Sequence, residues 1–153
     1  MRRHLPATAA AVVATALAGV AGTDVRSDWY ARLDKPTWQP PGWAFGPAWT
    51  TLYVLIAVGS ARALDRSSPA GRRSLGTALG ANLVLNTGWT WIFFKAERPG
   101  HALAEILVLE ASTIDLVRRT GRVDPVAARL LAPYAAWVGF ATALNASIAR
   151  RNR

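Results

Sequence analysis

The most distinctive chemistry in this chain lies in its aromatic side chains, above all its seven tryptophans. Four of them fall in the segment from Trp29 to Tyr53, at positions 29, 38, 43 and 49. The same segment carries four prolines, Pro36, Pro40, Pro41 and Pro47. Prolines fix the backbone and reduce the entropy lost when a loop closes over a ligand. The segment therefore predicts a rigid cover for a flat apolar ligand. For Trp29, Trp43 and Trp91 the alternative is an aromatic belt that anchors helix ends at a membrane surface.

Motifs of conventional enzymes and metal proteins are missing from the sequence. The chain has no cysteine, which excludes a disulfide scaffold, a zinc–cysteine site, an iron–sulfur cluster and a thiol nucleophile. We find no hydrolytic triad, no phosphate-binding loop and no clustered metal ligands. The sequence thus predicts no conventional enzyme, no required cofactor and no metal site.

The net charge of +9 by itself suggests a nucleic-acid partner. The charges, however, lie between long charge-free runs of 19, 26, 21 and 20 residues: Leu5–Thr23, Pro36–Ala61, Ser74–Phe94 and Leu130–Ala149. Each run is close to the ~20 apolar residues that a helix needs to cross a bilayer. No nucleic-acid motif competes with this interpretation. We therefore expect a lipid bilayer as a partner and no nucleic acid.

A fifth span is predicted over residues 101–117, an apolar stretch that contains three acidic residues, Glu105, Glu110 and Asp115. Their spacing of five places successive carboxylates about 140° apart on a helix, so they share no face. We expect Glu105 near one end, and Glu110 near mid-span, facing the bundle interior. Asp115 is expected to pair with Arg118, three residues further along.

These spans predict one all-α domain over residues 1–153, a membrane bundle of five transmembrane helices at about 5–23, 44–63, 74–94, 101–117 and 126–149. A loop rich in proline and tryptophan, residues 24–47, joins the first two. Turns are predicted at 65–71, 95–100 and 118–124, with Pro125 in the first turn of the last helix. Ten basic residues on the side of the N-terminus against eight on the other weakly favour a cytoplasmic N-terminus. The first span alternatively resembles a secretory signal.

The segment from Trp29 to Tyr53 reads Trp-Tyr-x-x-Leu-x-Lys-Pro-x-Trp-x-Pro-Pro-x-Trp-x-Phe-Gly-Pro-x-Trp-x-x-Leu-Tyr. It resembles the signature of the TspO/MBR family, the tryptophan-rich sensory proteins related to the translocator protein or peripheral benzodiazepine receptor. Further similarity lies at Leu85-Asn86 with Trp89, at 127–137 and at 140–145. The resemblance covers essentially the whole chain, and the family's five-helix bundle agrees with the five spans counted above.

The resemblance implies a cavity inside the bundle, closed by the first loop. The family's ligands are porphyrins such as protoporphyrin IX and haem, sterols, isoquinoline carboxamides and benzodiazepines. Carried over by position, the ligand-binding residues are Tyr30, Trp38, Trp49, Tyr53, Asn86, Trp89, Phe93, Trp137 and Ala141. Indole faces can stack on a planar macrocycle, Asn86 can supply a hydrogen bond, and Ala141 leaves room. For Trp49, Trp89 and Trp137 the alternative is ordinary helix packing.

The implied function is a membrane sensor, regulator or transporter that binds tetrapyrroles in tetrapyrrole and stress responses. An alternative is light- and oxygen-dependent degradation of protoporphyrin IX, with Trp49 and Trp137 as oxidisable rings on either side of the macrocycle. A third possibility is a structural membrane protein, in which the tryptophans serve only to anchor the chain in the membrane.

Several features separate this chain from other family members or bear on its assembly. Ala146-Ser147 stand where the family's sterol segment has a tyrosine, so we do not expect cholesterol to be the natural ligand. His101, and more weakly His4, are candidate ligands to haem iron. Gly76 and Gly80 have the small-xxx-small spacing of closely packed helices, which suggests a homodimer. Many arginines, few lysines and abundant alanine suggest a GC-rich bacterial genome, and hence a location in a bacterial cell membrane.

Overall fold

The computed structural model describes residues 3–153, and Arg2, which contributes to the predicted charge count at the N-terminus, lies outside this range. The described residues form helices and turns without a strand, so the predicted all-α class is confirmed. The helices are α1 (Leu5–Gly22), α2 (Asp28–Arg32), α3 (Gly42–Arg66), α4 (Pro69–Thr90), α5 (Pro99–Val123) and α6 (Pro125–Arg151), and one π-helical turn, Trp91–Lys95, extends α4.

The five long helices form a closed ring in which α1 contacts α3, α3 contacts α6, α6 contacts α5, α5 contacts α4, and α4 returns to α1. Three of them, α1, α3 and α6, are long and apolar enough to cross a membrane. The expectation that α4 and α5 also span the bilayer stays a prediction. Gly59 of α3 allows a close approach to α6, because a Cβ atom there would lie 3.2 Å from the carbonyl oxygen of Ala127.

Local signals in the sequence account for the helix starts. Proline occupies the first turn of α4, α5 and α6, where its missing N–H costs no hydrogen bond. Ser68 and Asp124 precede α4 and α6, and their side chains accept hydrogen bonds from the N–H groups of Gly71 and Val126. The placement of Pro125 in the first turn of the last helix is thereby confirmed.

The predicted turn at 118–124 is wrong, because α5 continues to Val123 and leaves only Asp124 between two helices. Arginine ends an apolar run but not a helix, since its helix propensity is high. Asp115 is also paired differently from the prediction. Its carboxylate bonds Arg119 at 2.5 Å, four residues along, and Arg119 further donates to Ser74 of α4 at 2.9 Å. These contacts tie the charged last turns of α5 to α4.

The other connections are also shorter than predicted. Only residues 67–68 separate α3 from α4, and only residues 96–98 separate the π-helical turn from α5. The predicted loop at 24–47 ends at Pro41, because α3 already begins at Gly42 and contains Pro47 in its second turn. Proline is tolerated so near the helix start, where few backbone N–H groups have an intrahelical acceptor.

Candidate functional site

A continuous chain of hydrogen bonds crosses the bundle interior and joins four helices. The Tyr53 hydroxyl of α3 donates to Asn86 Oδ1 of α4 at 3.3 Å, and Asn86 Nδ2 donates to the Tyr134 hydroxyl of α6 at 3.0 Å. Tyr134 in turn donates to Asn82 Oδ1 at 3.0 Å, and Asn82 Nδ2 donates to Thr113 of α5 at 2.9 Å. Such buried polar networks fix the relative positions of the helices that they join. Asn86 therefore serves as a link between helices in this conformation, and its bond to a ligand stays a prediction.

Aromatic rings gather at the end of the bundle where α4 ends and α5 begins. Trp89 and Phe93 stack at 5.2 Å with their planes 27° apart, and Phe94 meets Phe93 edge to face at 4.9 Å. The π-helical turn, closed by the bond from Ala96 N–H to the Trp91 carbonyl at 2.9 Å, sets the direction of both phenylalanines. The Trp89 indole N–H donates to Asn145 Oδ1 at 2.9 Å, which fixes the orientation of that ring against α6.

The segment from 24 to 41, which we call the lid, lies over these rings. Trp29 meets Phe93 edge to face at 5.7 Å, and Tyr30 packs against Phe94 at 5.3 Å. Further along the lid, Trp38 meets Phe140 of α6 at 5.9 Å. These contacts agree with the expectation of an aromatic cover. Trp29 and Tyr30 both lie on α2, and the Ser27 side chain caps the first turn of this helix.

A few polar contacts fasten the lid to the end of α6. The Asp34 backbone N–H donates to Asn152 Oδ1 at 2.9 Å, and Asn152 Nδ2 donates back to the Asp34 carbonyl at 3.0 Å. Arg151 lies 3.4 Å from the Asp34 carboxylate. Inside the lid, Lys35 Nζ donates to the Tyr30 carbonyl at 2.5 Å. Because these polar contacts with α6 are solvent-exposed, each contributes little free energy to holding the lid closed.

Trp49 and Trp137 occupy neighbouring positions on α3 and α6, but not in the arrangement expected from the sequence. Their ring centroids lie 6.2 Å apart with the planes at 80°, so the indoles touch edge to face. In this conformation no gap for a macrocycle lies between the two rings, and the expectation that they face each other across one stays a prediction. Tyr53 packs against Trp49 at 5.3 Å and Phe45 against Trp137 at 5.9 Å, which holds both indoles in place. A flat ligand enters here only if these rings move apart.

The three tryptophans assigned alternatively to an interfacial belt differ in exposure. Trp43, at the start of α3, is 78% exposed, and Trp91 is 44% exposed while its N–H donates to the Ala18 carbonyl at 3.0 Å. Both positions fit a belt at the membrane surface. Trp29, which is part of the lid, is instead half-buried against Phe93, so it belongs to the rings that join the lid to the bundle.

The sequence missed several side chains of this cluster. Phe45, Phe94, Phe140 and Asn145 all contact predicted site residues. Helical spacing offers a signal for two of them: Phe45 precedes Trp49 by four residues, and Phe140 follows Trp137 by three, so each pair shares a helix face. Ala141 is half-buried and packs against the main core.

An apolar groove of about 570 Å³ lies between α3 and α6. Its lining residues are Pro47, Ala48, Thr51, Leu52, Pro133, Ala136, Trp137 and Phe140.

Glu105 and Glu110 of α5 both have carboxylate oxygens that are shielded from solvent. Both carboxylate oxygens of Glu105 are shielded from solvent without a hydrogen-bond partner, and one lies 3.7 Å from where a Cβ atom of Gly88 would be. Glu105 therefore faces α4 within the bundle and does not lie at the surface. Glu110 has one shielded oxygen and lies beside Gly139 of α6, in agreement with the expected inward orientation.

The two histidines lie in different surroundings. His101 is exposed at the start of α5, and the His4 ring bonds the Asp65 carboxylate at 2.6 Å. Within residues 3–153, no three histidine, aspartate or glutamate side chains come close enough together to hold a metal ion. Ligation of haem iron by either histidine stays a prediction.

Comparison with known proteins gives matches along most of the chain. The model of the TspO/MBR family matches residues 7–151. The human translocator protein is 40% identical over 127 residues, which cover 81% of this chain and 75% of that protein. The tryptophan-rich protein TspO of Chlorobaculum tepidum is 34% identical over 142 residues, 92% of this chain and 90% of its own length. Protein CrtK of Rhodobacter capsulatus is 36% identical over 142 residues, 92% of this chain and 89% of its own length.

Proposed function

Since this chain belongs to the TspO/MBR family, we propose that it is a membrane-embedded binding protein for porphyrins, such as protoporphyrin IX or haem, and other flat hydrophobic molecules. It acts as a sensor, regulator or transporter in tetrapyrrole and stress responses, within a bacterial cell membrane. Its apolar helices α1, α3 and α6 make it an integral membrane protein.

The observation that carries the proposal is the layer of aromatic rings between the lid and the bundle. Trp29, Tyr30 and Trp38 of the lid meet Phe93, Phe94 and Phe140 of the bundle. Aromatic faces favour offset or edge contacts with other π-systems, and a porphyrin offers a larger π-surface than any single side chain. When the lid lifts, a macrocycle can replace the ring-to-ring contacts with its own, at little loss of buried apolar area.

A porphyrin titration of the purified protein in detergent, in the dark, tests this function. Bound protoporphyrin IX should quench tryptophan emission saturably, because several indoles lie within the proposed site. The Trp43→Phe variant removes an exposed indole that lies outside the layer of rings between the lid and the bundle. It should show the same midpoint of the titration and a larger fractional quench of the remaining emission. Linear quenching, equal to that of free tryptophan in the same detergent, would show that the protein has no porphyrin site.

The Ala141→Phe substitution is expected to weaken porphyrin binding while the fold persists. A phenyl ring beside Trp137 and Phe140 occupies the space next to these aromatic rings. Overpacking costs about 1–3 kcal/mol, or roughly five- to 150-fold in affinity where the cost falls on the bound state. The matched control is Ala143→Phe, on the same helix but exposed. A sharp fall in thermal stability with unchanged affinity would make Ala141 a packing residue only.

The second candidate function, photo-oxidative degradation of the porphyrin, is favoured by the contact between the Trp49 and Trp137 indoles. Phenylalanine is much harder to oxidise than tryptophan. Trp49→Phe and Trp137→Phe should therefore reduce porphyrin bleaching under fixed light in air far more than binding, which should fall by about 1 kcal/mol. Trp43→Phe is the control because that ring lies outside the cluster. Equal bleaching rates for wild type, all variants and protein-free detergent would leave only the binding function.

We also propose that the protein forms a homodimer through α4. Gly80 is exposed, and no other side chain lies within 4 Å of where Cβ atoms of Gly76 and Gly80 would be. Open space at small residues lets a second helix approach closely. Chemical cross-linking in native membranes should yield a dimer that Gly80→Leu reduces. Only monomer under conditions that cross-link a known dimer would refute this assembly.

A further inference from the structure

One end of the bundle, where α1, α4 and α6 begin and α3 and α5 end, is strongly basic. Within residues 3–153 it carries nine arginines: Arg3, Arg62, Arg66, Arg72, Arg73, Arg118, Arg119, Arg122 and Arg129. Only three carboxylates lie at this end, those of Asp65, Asp115 and Asp124. The imbalance creates a local positive potential at the level where apolar helices leave the membrane.

Each of the three carboxylates already has a partner. Asp124 binds Arg62 at 2.5 Å and Arg66 at 2.8 Å. Asp115 binds Arg119, and Asp65 is held by the ring and the backbone N–H of His4 at 2.6 and 3.2 Å. In the described part of the chain, these pairs use only three of the nine arginines, and Arg72 and Arg73 are among the six without a carboxylate within 4.0 Å and without a side-chain hydrogen bond.

Both of these arginines line a groove of about 450 Å³, together with His4, Leu64, Pro69 and Gly76. The groove lies between the start of α1, the end of α3 and the first turns of α4. Two guanidinium groups border it, and Leu64, Pro69 and Gly76 provide apolar surface. Gly76 keeps the groove open, because no other side chain lies within 4 Å of where its Cβ atom would be.

We propose that this groove binds an anionic phospholipid, with the headgroup phosphate on Arg72 and Arg73 and the start of an acyl chain against Leu64 and Pro69. Guanidinium groups match phosphate oxygens with paired N–H donors. The positive N-terminal end of α4, a helix of 22 residues, adds to the attraction for a phosphate. Asp65 does not compete for these arginines, because His4 takes its carboxylate.

A lipid fits the groove better than a soluble anion for two reasons. The arginines line the same groove as Leu64 and Pro69, so charge and apolar surface meet there, as the headgroup and chain of a lipid do. The groove also borders α1 and α3, two of the helices that are apolar enough to cross the membrane. Basic pockets between membrane helices recognise anionic headgroups in this way.

The test measures lipid retained by the purified full-length chain, using native mass spectrometry after exchange into micelles with phosphatidylglycerol or phosphatidylcholine of identical chains. The wild type should retain phosphatidylglycerol about tenfold more than phosphatidylcholine, a preference of about 1.4 kcal/mol. The Arg72→Gln/Arg73→Gln variant should lose this preference. The matched control, Arg118→Gln/Arg122→Gln, removes the same charge at the same end outside the groove and should keep it. Equal helical circular dichroism and thermal unfolding of both variants exclude misfolding.

Three results would overturn the proposal. Equal retention of the two lipids by the wild type would show that the groove has no anionic preference. Equal loss in the two variants would assign the preference to the overall charge of this end. Displacement of phosphatidylglycerol by inorganic phosphate at millimolar concentration would show a site for a soluble anion.

Discussion

Porphyrin binding should slow by about tenfold or more, a barrier of about 1.4 kcal/mol, when the lid is joined covalently to α6. Asp34 and Asn152 are the positions to join, because their backbone and side-chain groups are hydrogen-bonded to each other at 2.9 and 3.0 Å. The chain has no cysteine, so Asp34→Cys/Asn152→Cys introduces the only two thiols, and a short thiol cross-linker closes them. Stopped-flow quenching of tryptophan emission by protoporphyrin IX measures the rate.

The expectation follows from the rings under the lid, which are in contact with one another and have to separate before a macrocycle can enter. Opening steps of this kind commonly limit the rate of ligand exchange. The same double variant before cross-linking, and a variant with Asp34→Cys alone treated with the reagent, are the controls. An unchanged rate after complete cross-linking would place ligand entry elsewhere, and the apolar groove between Pro47 and Pro133 would become the alternative route.

Replacing Asp124 is expected to produce the largest loss of stability of any single substitution at the basic end. Its carboxylate side chain is only 5% exposed, binds Arg62 and Arg66, and accepts the Val126 N–H at the start of α6. Asp124→Ala should lower the free energy of unfolding by about 2–4 kcal/mol, less than for a fully buried pair because both guanidinium groups reach water. Asp124→Asn keeps the helix cap and should recover about 1 kcal/mol of that loss. Unfolding by sodium dodecyl sulfate in mixed micelles, followed by circular dichroism, measures the difference.

The same carboxylate gives the stability a defined dependence on pH. Burial by itself raises the pKa of Asp124, but the Val126 N–H and the charges of Arg62 and Arg66 outweigh burial and hold the pKa below its ordinary value. A carboxyl with a lowered pKa stabilises the folded state above its unfolded pKa of about 4 and loses that effect as the pH falls through the folded pKa. The advantage of wild type over Asp124→Asn should therefore be constant near neutral pH and shrink in acid. An advantage that grows as the pH falls would contradict this role.

The sequence by itself determined the helices and much of their placement along the chain. Charge-free runs predicted α1, α3 and α6, because only a helix satisfies every backbone group of an apolar segment in lipid. Pro125 was placed correctly in the first turn of α6, since this signal acts within a single turn, whereas Pro69 and Pro99 begin α4 and α5 inside segments predicted as turns. The density of tryptophan and proline predicted the lid, and its aromatic residues do lie over the bundle.

The charge-free runs predicted the helix ends wrongly. A charged residue is costly to bury in lipid, but its backbone can still make helical hydrogen bonds. Residues 118–123 are helical for that reason, and Asp115 pairs with Arg119 because four residues on a helix bring the side chains onto one face. Glu105 was expected near one end of its span, and it lies in the second turn of α5. The packing of α5 against α4 also shields its carboxylate, which no local pattern records.

Only the tertiary structure decided how the site residues meet. The sequence predicted Trp49 and Trp137 on neighbouring helices. The angle of 80° between their ring planes, however, depends on the rotation of α3 and α6 about their axes. That rotation is set by contacts between residues far apart in the chain, such as the close approach of Gly59 to Ala127 and the hydrogen bonds that join Tyr53, Asn86 and Tyr134. Residue type and spacing fix which face of a helix is apolar. The orientation of two rings on different helices follows from the packing of whole helices, to which every side chain between them contributes.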